Sequence, residues 1–396
     1  MKLTKLSLAA IMIAGLSTTS FAEDTLADAF KNGTINGALQ GYYFDKDNGT
    51  TDADIITTGV DLSYVTADFY GLSIGMTFQG TYSPWVDNDG KAMFGGDMHG
   101  SGAQLSEGYL KYENSGAFIK AGRQYISTPL VSGSGSRVTK EAFEAYMAGY
   151  TGVEGLTVLG GYITKFQSRT DGNGDIGDFT KTGVASQGGG EGSFDGAYTL
   201  LAGYKNEMFS VNGQYLVIQD VDNVSDLSVM YVDGTFNIPI SSSNIAISAQ
   251  YGSSDEDSTV DALSGSVMGA KVAYTVGGLY THLAYTTNDD DEKTIGGLGN
   301  GADWSYAGGL IYGNDYNKGI DTIGAKVGYK IGSFGLAALY SDYSGGSKDY
   351  NTLGGQVSYD VGGVMKGLNL LAQFDTKNVD SDEDQNQFRF KANYKF

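Results

Sequence analysis

Cysteine is absent from this chain, and proline and histidine are nearly so, with three and two residues respectively. Without cysteine there can be no disulfide, no lipid-modified N-terminal thiol and no thiolate metal site. The prolines, Pro84, Pro129 and Pro239, fall outside the alternating segments described below, where a sheet without edges must place them. His99 reads as a loop residue and His282 as an inward strand residue. Neither has a neighbouring constellation with metal-ligand spacing, so both read as polar surface histidines. No phosphate-cradling loop occurs. Asp171-Gly172-Asn173-Gly174-Asp175 opens like a calcium loop. Ile176 then replaces the required glycine and Thr182 the closing glutamate, so it reads as an acidic loop. No cofactor or metal is expected. Basic residues are few, 25 against 46 acidic, for a net charge of −21, which argues against nucleic acid as a partner.

What is present points to export and to strands. Lys2 and Lys5 precede an apolar run at 6–16, and Ser20-Phe21-Ala22 forms a small-x-small cleavage site. This is the pattern of a signal peptide at 1–22, cut after Ala22. The run is too short to span as a helix, which needs about 20 residues, and no other apolar stretch is long enough. Sixty glycines and 28 tyrosines suit many strands and many turns. The last ten residues show the period most clearly. Phe388, Phe390, Ala392, Tyr394 and Phe396 fall on one face, with Arg389, Lys391, Asn393 and Lys395 on the other. A period of two is the strand period, and a tilted membrane-crossing strand needs roughly 9–11 residues.

The same reading along the chain gives a lead-in at 23–33 and then strands at 34–44, 55–64, 72–82, 103–113, 116–126, 142–151, 156–167, 195–205 and 209–219. Nine more follow at 226–237, 244–252, 266–276, 279–288, 321–331, 334–344, 351–361, 368–377 and 387–396. The segment at 226–237 alternates poorly, and 302–313 reads as a further candidate strand. Connections after even strands are short and those after odd strands long, acidic and glycine-rich. Acidic clusters at 220–226, 255–261, 289–292 and 380–384 read as solvated loops. Short turns at one end and long loops at the other are the mark of a bacterial outer-membrane barrel. The expected fold is therefore all-β: a transmembrane antiparallel β-barrel over 34–396, with eighteen strands and sixteen as the alternative.

Charges facing lipid near the midplane cost roughly 2–4 kcal/mol each, so the strand cations are expected inside. Lys120, Lys165, Lys271, Lys326, Lys330, Arg389, Lys391 and Lys395 form this predicted lumen set, with Asp61, Glu107 and Asp375 as inward acids. Such cations either solvate a wet interior or attract anions along a path. The connection at 127–140 stands apart from the acidic loops. It carries Arg137 and Lys140 among small residues, with Arg123 just before it, as a loop folded into the bore would.

The run Gly122-Arg123-Gln124-Tyr125-Ile126-Ser127-Thr128-Pro129-Leu130, then Ser136-Arg137, Phe143-Glu144-Ala145-Tyr146 and Gly155-Leu156-Thr157-Val158, resembles the OprD-type outer-membrane porin family. The likeness is specific at 122–166 and general over the rest of the mature chain. It implies an eighteen-stranded barrel whose bore is narrowed by the third loop with help from the seventh, here 289–320. It also implies a basic ladder guiding small carboxylate-bearing solutes, with Arg123, Arg137 and Lys140 at or near the constriction. The chain departs from that pattern in having only four arginines, Arg123, Arg137, Arg169 and Arg389, so its ladder would be mostly lysine. The expected function is passive diffusion of small hydrophilic solutes and ions, not catalysis. Outer-membrane lipid and lipopolysaccharide are the expected surroundings, with the barrel alone or as a homotrimer. The alternatives are an adhesion barrel with a plugged interior and working acidic loops, and a barrel enzyme acting on lipid.

Overall fold

The computed structural model describes residues 23–184, 192–221, 225–257, 263–380 and 382–396. The predicted signal peptide at 1–22 lies outside the described residues, as do parts of three acidic clusters. The lead-in forms a short helix, α1 (Leu26–Lys31), started by Thr25, whose hydroxyl accepts from Asp28 N.

Eighteen strands make the wall. In order they are β1 (Thr34–Asp47), β2 (Asp52–Val65), β3 (Leu72–Val86), β4 (Gly102–Asn114), β5 (Ala117–Gln124), β6 (Ala142–Tyr150), β7 (Leu156–Gln167), β8 (Gly196–Lys205) and β9 (Phe209–Val221). They continue as β10 (Ser225–Ile240), β11 (Ser243–Glu256), β12 (Ser266–Val276), β13 (Leu279–Asn288), β14 (Asp321–Ile331), β15 (Phe334–Ser344), β16 (Tyr350–Asp360), β17 (Leu368–Val379) and β18 (Gln385–Lys395). Each strand pairs antiparallel with the next, and β18 pairs back onto β1, with Tyr42 opposite Lys391 and Ala38 opposite Lys395. Phe396 N donates to Gly37 O at 3.0 Å, which seals the seam at the chain end. The sheet is therefore closed, and every strand finds a neighbour on both sides. The eighteen-strand expectation holds, and 302–313 is not a strand.

The two faces of the wall differ as the alternation requires. Leu39, Val60, Leu62, Phe78, Leu200, Val211, Leu283, Val327 and Leu353 are exposed on the outside. Tyr64, Tyr112, Tyr150, Tyr204, Phe209, Tyr329 and Phe334 lie toward the short-turn end. Tyr82, Tyr146, Tyr198, Tyr215, Tyr285 and Tyr340 lie toward the long-loop end. An apolar band between aromatic girdles on a closed sheet is a membrane-facing surface, and a closed sheet is one of two architectures that pair every backbone group within lipid.

Three local departures have physical causes. Two of the prolines lie inside strands, at their ends. Pro84 sits where the register between β2 and β3 shifts, and Pro239 pairs with Asn244 next to a turn. Those are the positions a missing N–H tolerates. β10 alternates poorly because both its faces are apolar. Leu227, Val229 and Tyr231 are buried inside, while Met230 and Val232 are exposed outside. In β7 the register against β6 shifts after Ile163. One extra residue there, Thr164, reverses the facing of everything beyond it.

Candidate functional site: the barrel interior

Two long connections fill much of the interior. The third, residues 125–141, is tied to opposite sides of the wall. Leu130 N donates to Gln214 Oε1 of β9 at 2.9 Å, and Gln214 Nε2 donates to Thr128 Oγ1 at 2.9 Å. At its other end Lys140 N donates to Gln79 Oε1 of β3 at 2.8 Å, and Gln79 Nε2 returns a bond to Lys140 O at 2.9 Å. The Lys140 ammonium pairs with Asp61 of β2. The seventh connection, 289–320, runs beside it. Leu298 N donates to Leu130 O at 2.8 Å, and Ser132 N donates to Leu298 O at 3.0 Å. Gly297 (φ +132°) allows this approach, since a Cβ there would meet Leu130 O at 2.2 Å. Farther along, Ile311 N donates to Asp375 Oδ2 of β17 at 2.6 Å, and Tyr343 OH of β15 donates to Gly313 O at 2.6 Å.

The larger apolar contact of these loops is with one side of the wall, while Val138 of the third loop joins a smaller cluster with Tyr42, Phe44 and Ile55 on the other. Leu130, Val131, Ile295, Leu298 and Trp304 from the loops bury against Phe143, Ile163, Leu201, Leu216, Val229 and Val267 of the wall from β6 to β12. Gln214 is the polar anchor within this patch, and its three bonds satisfy it there. Apolar wall and apolar loop exclude water from this half of the bore.

Charge gathers on the other side. Arg137 donates from Nε to Asp97 at 2.9 Å, and Arg169 pairs with the same carboxylate. Arg169 also reaches Glu141 at 3.3 Å, and Glu141 accepts from Ser134 N and from Asn300 N and Nδ2. Three loops thus meet on Arg169. Burial pushes the Asp97 carboxyl up, but Arg137 and Arg169 outweigh it and hold Asp97 at about 2. Burial also opposes the Arg169 charge, and Asp97 and Glu141 offset it, so its pKa stands above the usual guanidinium value.

Beside this network lie Arg389 and Lys391 of β18. Arg389 is 7% exposed. Its guanidinium stands 4.4 Å from the Phe44 ring centre and donates to Gln387 Oε1 at 2.8 Å, while its buried Nε has no partner. Lys391 donates to Ser136 O and sits 4.5 Å from the Tyr42 ring centre. Arg137 shares the Phe44 ring, at 5.1 Å. Among the described residues, neither Arg389 nor Lys391 has a carboxylate at ion-pair distance, whereas Arg137, Arg169 and Lys140 each do.

The remaining predicted lumen cations divide. Lys120 faces inward, 3.7 Å from Glu107 and 3.7 Å from the Tyr109 ring centre. Lys271 faces inward over Tyr306 of the seventh loop at 3.8 Å. Lys326 is its inward neighbour two strands on, opposite His282, which shares a 3.0 Å hydrogen bond with Tyr280 OH. Lys330 and Lys395 keep the inward phase but lie at the short-turn ends, exposed.

Two residues are not inside. Arg123 shares the phase of Ile119, which is exposed outside, and opposes that of buried Phe118 and Lys120. It pairs with outward Gly108 and Glu144. It was expected with the cations of the loop folded into the bore, and the alternation of β5 puts it outside. Lys165 was expected opposite Phe166 on the inner face. Instead Phe166 is the inner residue, tilted against Phe143 at 5.3 Å, and the bulge at Thr164 turns Lys165 outward. Asp97, Glu141 and Arg169 form the network that sequence reasoning missed. They come from three connections, and nothing local in their spacing distinguishes them from solvated loop charges. The Asp171 loop is closed by its own Asx turn, with Asp171 Oδ1 accepting from Asn173 N and Asp175 N.

No protein-family model and no curated protein matches the chain. Solved structures do. Pseudomonas aeruginosa OccK8 (OprE) superposes with a TM-score of 0.77 at 15% identity, covering 93% of this chain and 99% of that one. Acinetobacter baumannii OccAB2 gives 0.77 at 14% identity, with 93% and 99% covered. Pseudomonas aeruginosa OpdK with vanillate gives 0.75 at 13% identity, again with 93% and 99% covered. These are OprD-family porins, and at such identities the likeness is one of fold.

Proposed function

We propose that the protein is an outer-membrane channel through which small hydrophilic solutes diffuse passively, favouring anions and small carboxylates. The observation that carries this is the pair Arg389 and Lys391. They are inward-facing cations beside the third loop with no carboxylate partner, in a chain whose other interior loop cations are compensated. Taking a charge out of water without pairing it is costly. The cost is relieved if the groups face a wet path where a mobile anion can visit, as rings of Lys and Arg do in anion pores. The third loop, at 127–140, then acts as the constriction opposite this basic strip, with Arg137 and Lys140 at its rim. A fold shared with porins, one of them solved with the carboxylate vanillate, supports the reading. The mechanism is diffusion down a gradient through a hydrated strip, with no covalent step.

A second reading has one observation in its favour. The apolar packing of both loops against β6–β12 would also suit a plugged barrel whose acidic outer loops do the work. Planar bilayers separate the two. The channel reading expects stepwise conductance and, under a KCl gradient, a reversal potential on the anion-selective side. A refolded protein that leaves the bilayer electrically silent would overturn it in favour of the plug.

A further inference from the structure

The outer wall carries a charged row that the channel does not use. Arg123 of β5, Glu144 of β6 and Lys165 of β7 lie side by side in register on the outer face. Lys165 Nζ is 3.5 Å and Arg123 Nε 4.0 Å from the Glu144 carboxylate. The Arg123 guanidinium lies 4.3 Å from the Phe179 ring centre and donates from Nη1 to Leu105 O at 3.1 Å. Glu144 is fixed in turn by Thr164 Oγ1 at 3.1 Å. The row is built, since backbone, ring and hydroxyl hold it, yet the three side chains stay between 31% and 41% exposed. It lies on the long-loop side of an aromatic row, Tyr146, Tyr162 and Tyr198, in which Tyr162 and Tyr198 stack at 4.5 Å.

Charges on the lipid face are tolerated near the interface and costly at the midplane. A charged row just beyond an aromatic girdle therefore marks the headgroup level of the outer leaflet. Elsewhere at that level the wall is acidic. Asp54 accepts from Trp85 Nε1 at 3.1 Å, Asp321 from Tyr285 OH at 2.9 Å, and Asp342 from Tyr340 OH at 3.3 Å. In a chain of net charge −21, this is the one stretch of outer rim, among the described residues, where two cations stand within three consecutive strands. We propose that Arg123 and Lys165 bind a phosphate group of an outer-leaflet glycolipid, with Phe179 holding the Arg123 plane and the tyrosine row below meeting the first part of the acyl chains. Arg presents its planar fork and Lys a point charge, the two usual modes of phosphate contact. Glu144 keeps both cations ordered in the free protein and competes with the incoming phosphate. The proposal rests on the outer-membrane placement but not on an open bore.

The test is native mass spectrometry of the refolded mature protein in detergent. It would be titrated with a bis-phosphorylated hexa-acyl glucosamine disaccharide, with the same glycolipid lacking phosphates, and with inorganic phosphate. Wild type should bind the phosphorylated lipid at least about tenfold more tightly than the other two, the scale of two charge-assisted contacts. The double variant Arg123→Gln/Lys165→Gln should lose that margin while keeping heat-modifiable migration and unchanged bilayer conductance. Glu144→Gln should bind more tightly than wild type. Equal affinity for the dephosphorylated lipid, equal affinity for inorganic phosphate, or a folded double variant that binds as wild type would each overturn the site. Should the double variant not fold, Glu144→Gln decides, and no gain in affinity there sinks the proposal. A silent bilayer with the margin intact would remove the channel and leave the lipid site standing.

Discussion

The inner wall has two halves that the same strands build in opposite ways. From β6 to β12 the inward side chains include Phe143, Ile163, Leu201, Leu216, Val229 and Val267, and two loops lie on them as an apolar layer. From β18 through β1 to β3 the inward side chains are Arg389, Lys391, Tyr42, Gln40, Asp61 and Gln79, and the loop edge facing them presents Arg137, Lys140 and Ser136. One half holds the loops by burial and the other leaves them a polar margin. The third loop touches the first half through apolar side chains and the second through hydrogen bonds and ion pairs, Lys140 with Gln79 and Asp61 and Ser136 with Lys391. The acidic residues sort along the same line. Asp97, Glu141 and Asp61 compensate the loop cations, and the strand cations Arg389 and Lys391 are left over.

The comparison can be broken from the apolar side first. Leu130→Ala removes a fully buried side chain between loop and wall, and large-to-small changes of this kind cost about 2–5 kcal/mol. The third loop should become protease-sensitive in the refolded barrel and single-channel current should become noisy. The next effect is smaller. Asp97→Asn leaves Arg137 and Arg169 without their shared carboxylate, an unsatisfied-group penalty of about 1–3 kcal/mol. Because Asp97 is held at about 2, below the ordinary carboxylate value near 4, its contribution is present above that ordinary value and lost as pH falls through about 2. Hydrogen-exchange protection of the third loop should thus be flat from pH 7 to about 5 and fall between about 4 and 2. The Asp97→Asn variant should show no such fall. On the polar side, Arg389→Gln/Lys391→Gln should lower the anion-to-cation permeability ratio by about three- to tenfold, equivalent to ~0.7–1.4 kcal/mol. Lys330→Gln, exposed at the short-turn end, should stay within about 0.5 kcal/mol in stability and leave the ratio unchanged.

Much of this was readable in the residues. The wall was, because a period of two survives wherever one face meets lipid and the other water: all eighteen strands lie where alternation placed them. It faded in β10, where Leu227, Val229 and Tyr231 meet a loop instead of water. It misled at Lys165, because a single bulge residue carries no signal of its own in the sequence. Proline position was read too strictly, since strand ends next to a shift or turn can take it, as Pro84 and Pro239 do. The site was legible only in part. Arg389 and Lys391 could be placed by parity. Their lack of a carboxylate partner depends on where Asp97 and Glu141 fold, and loop positions are not encoded in any local period. Arg169 shows the same limit: it lies beside an acidic loop in sequence but joins three loops in space.

The absence of cysteine allows a direct test of the division between the halves. Lys391→Cys and Leu227→Cys each place a single thiol on the inner wall, one on each side. In bilayers, a membrane-impermeant anionic thiol reagent added to the bath should react with Lys391→Cys and step the current down, while Leu227→Cys, under the loop layer, should not respond. A current insensitive at Lys391→Cys, or reduced equally at Leu227→Cys, would contradict a hydrated path along the basic half of the wall.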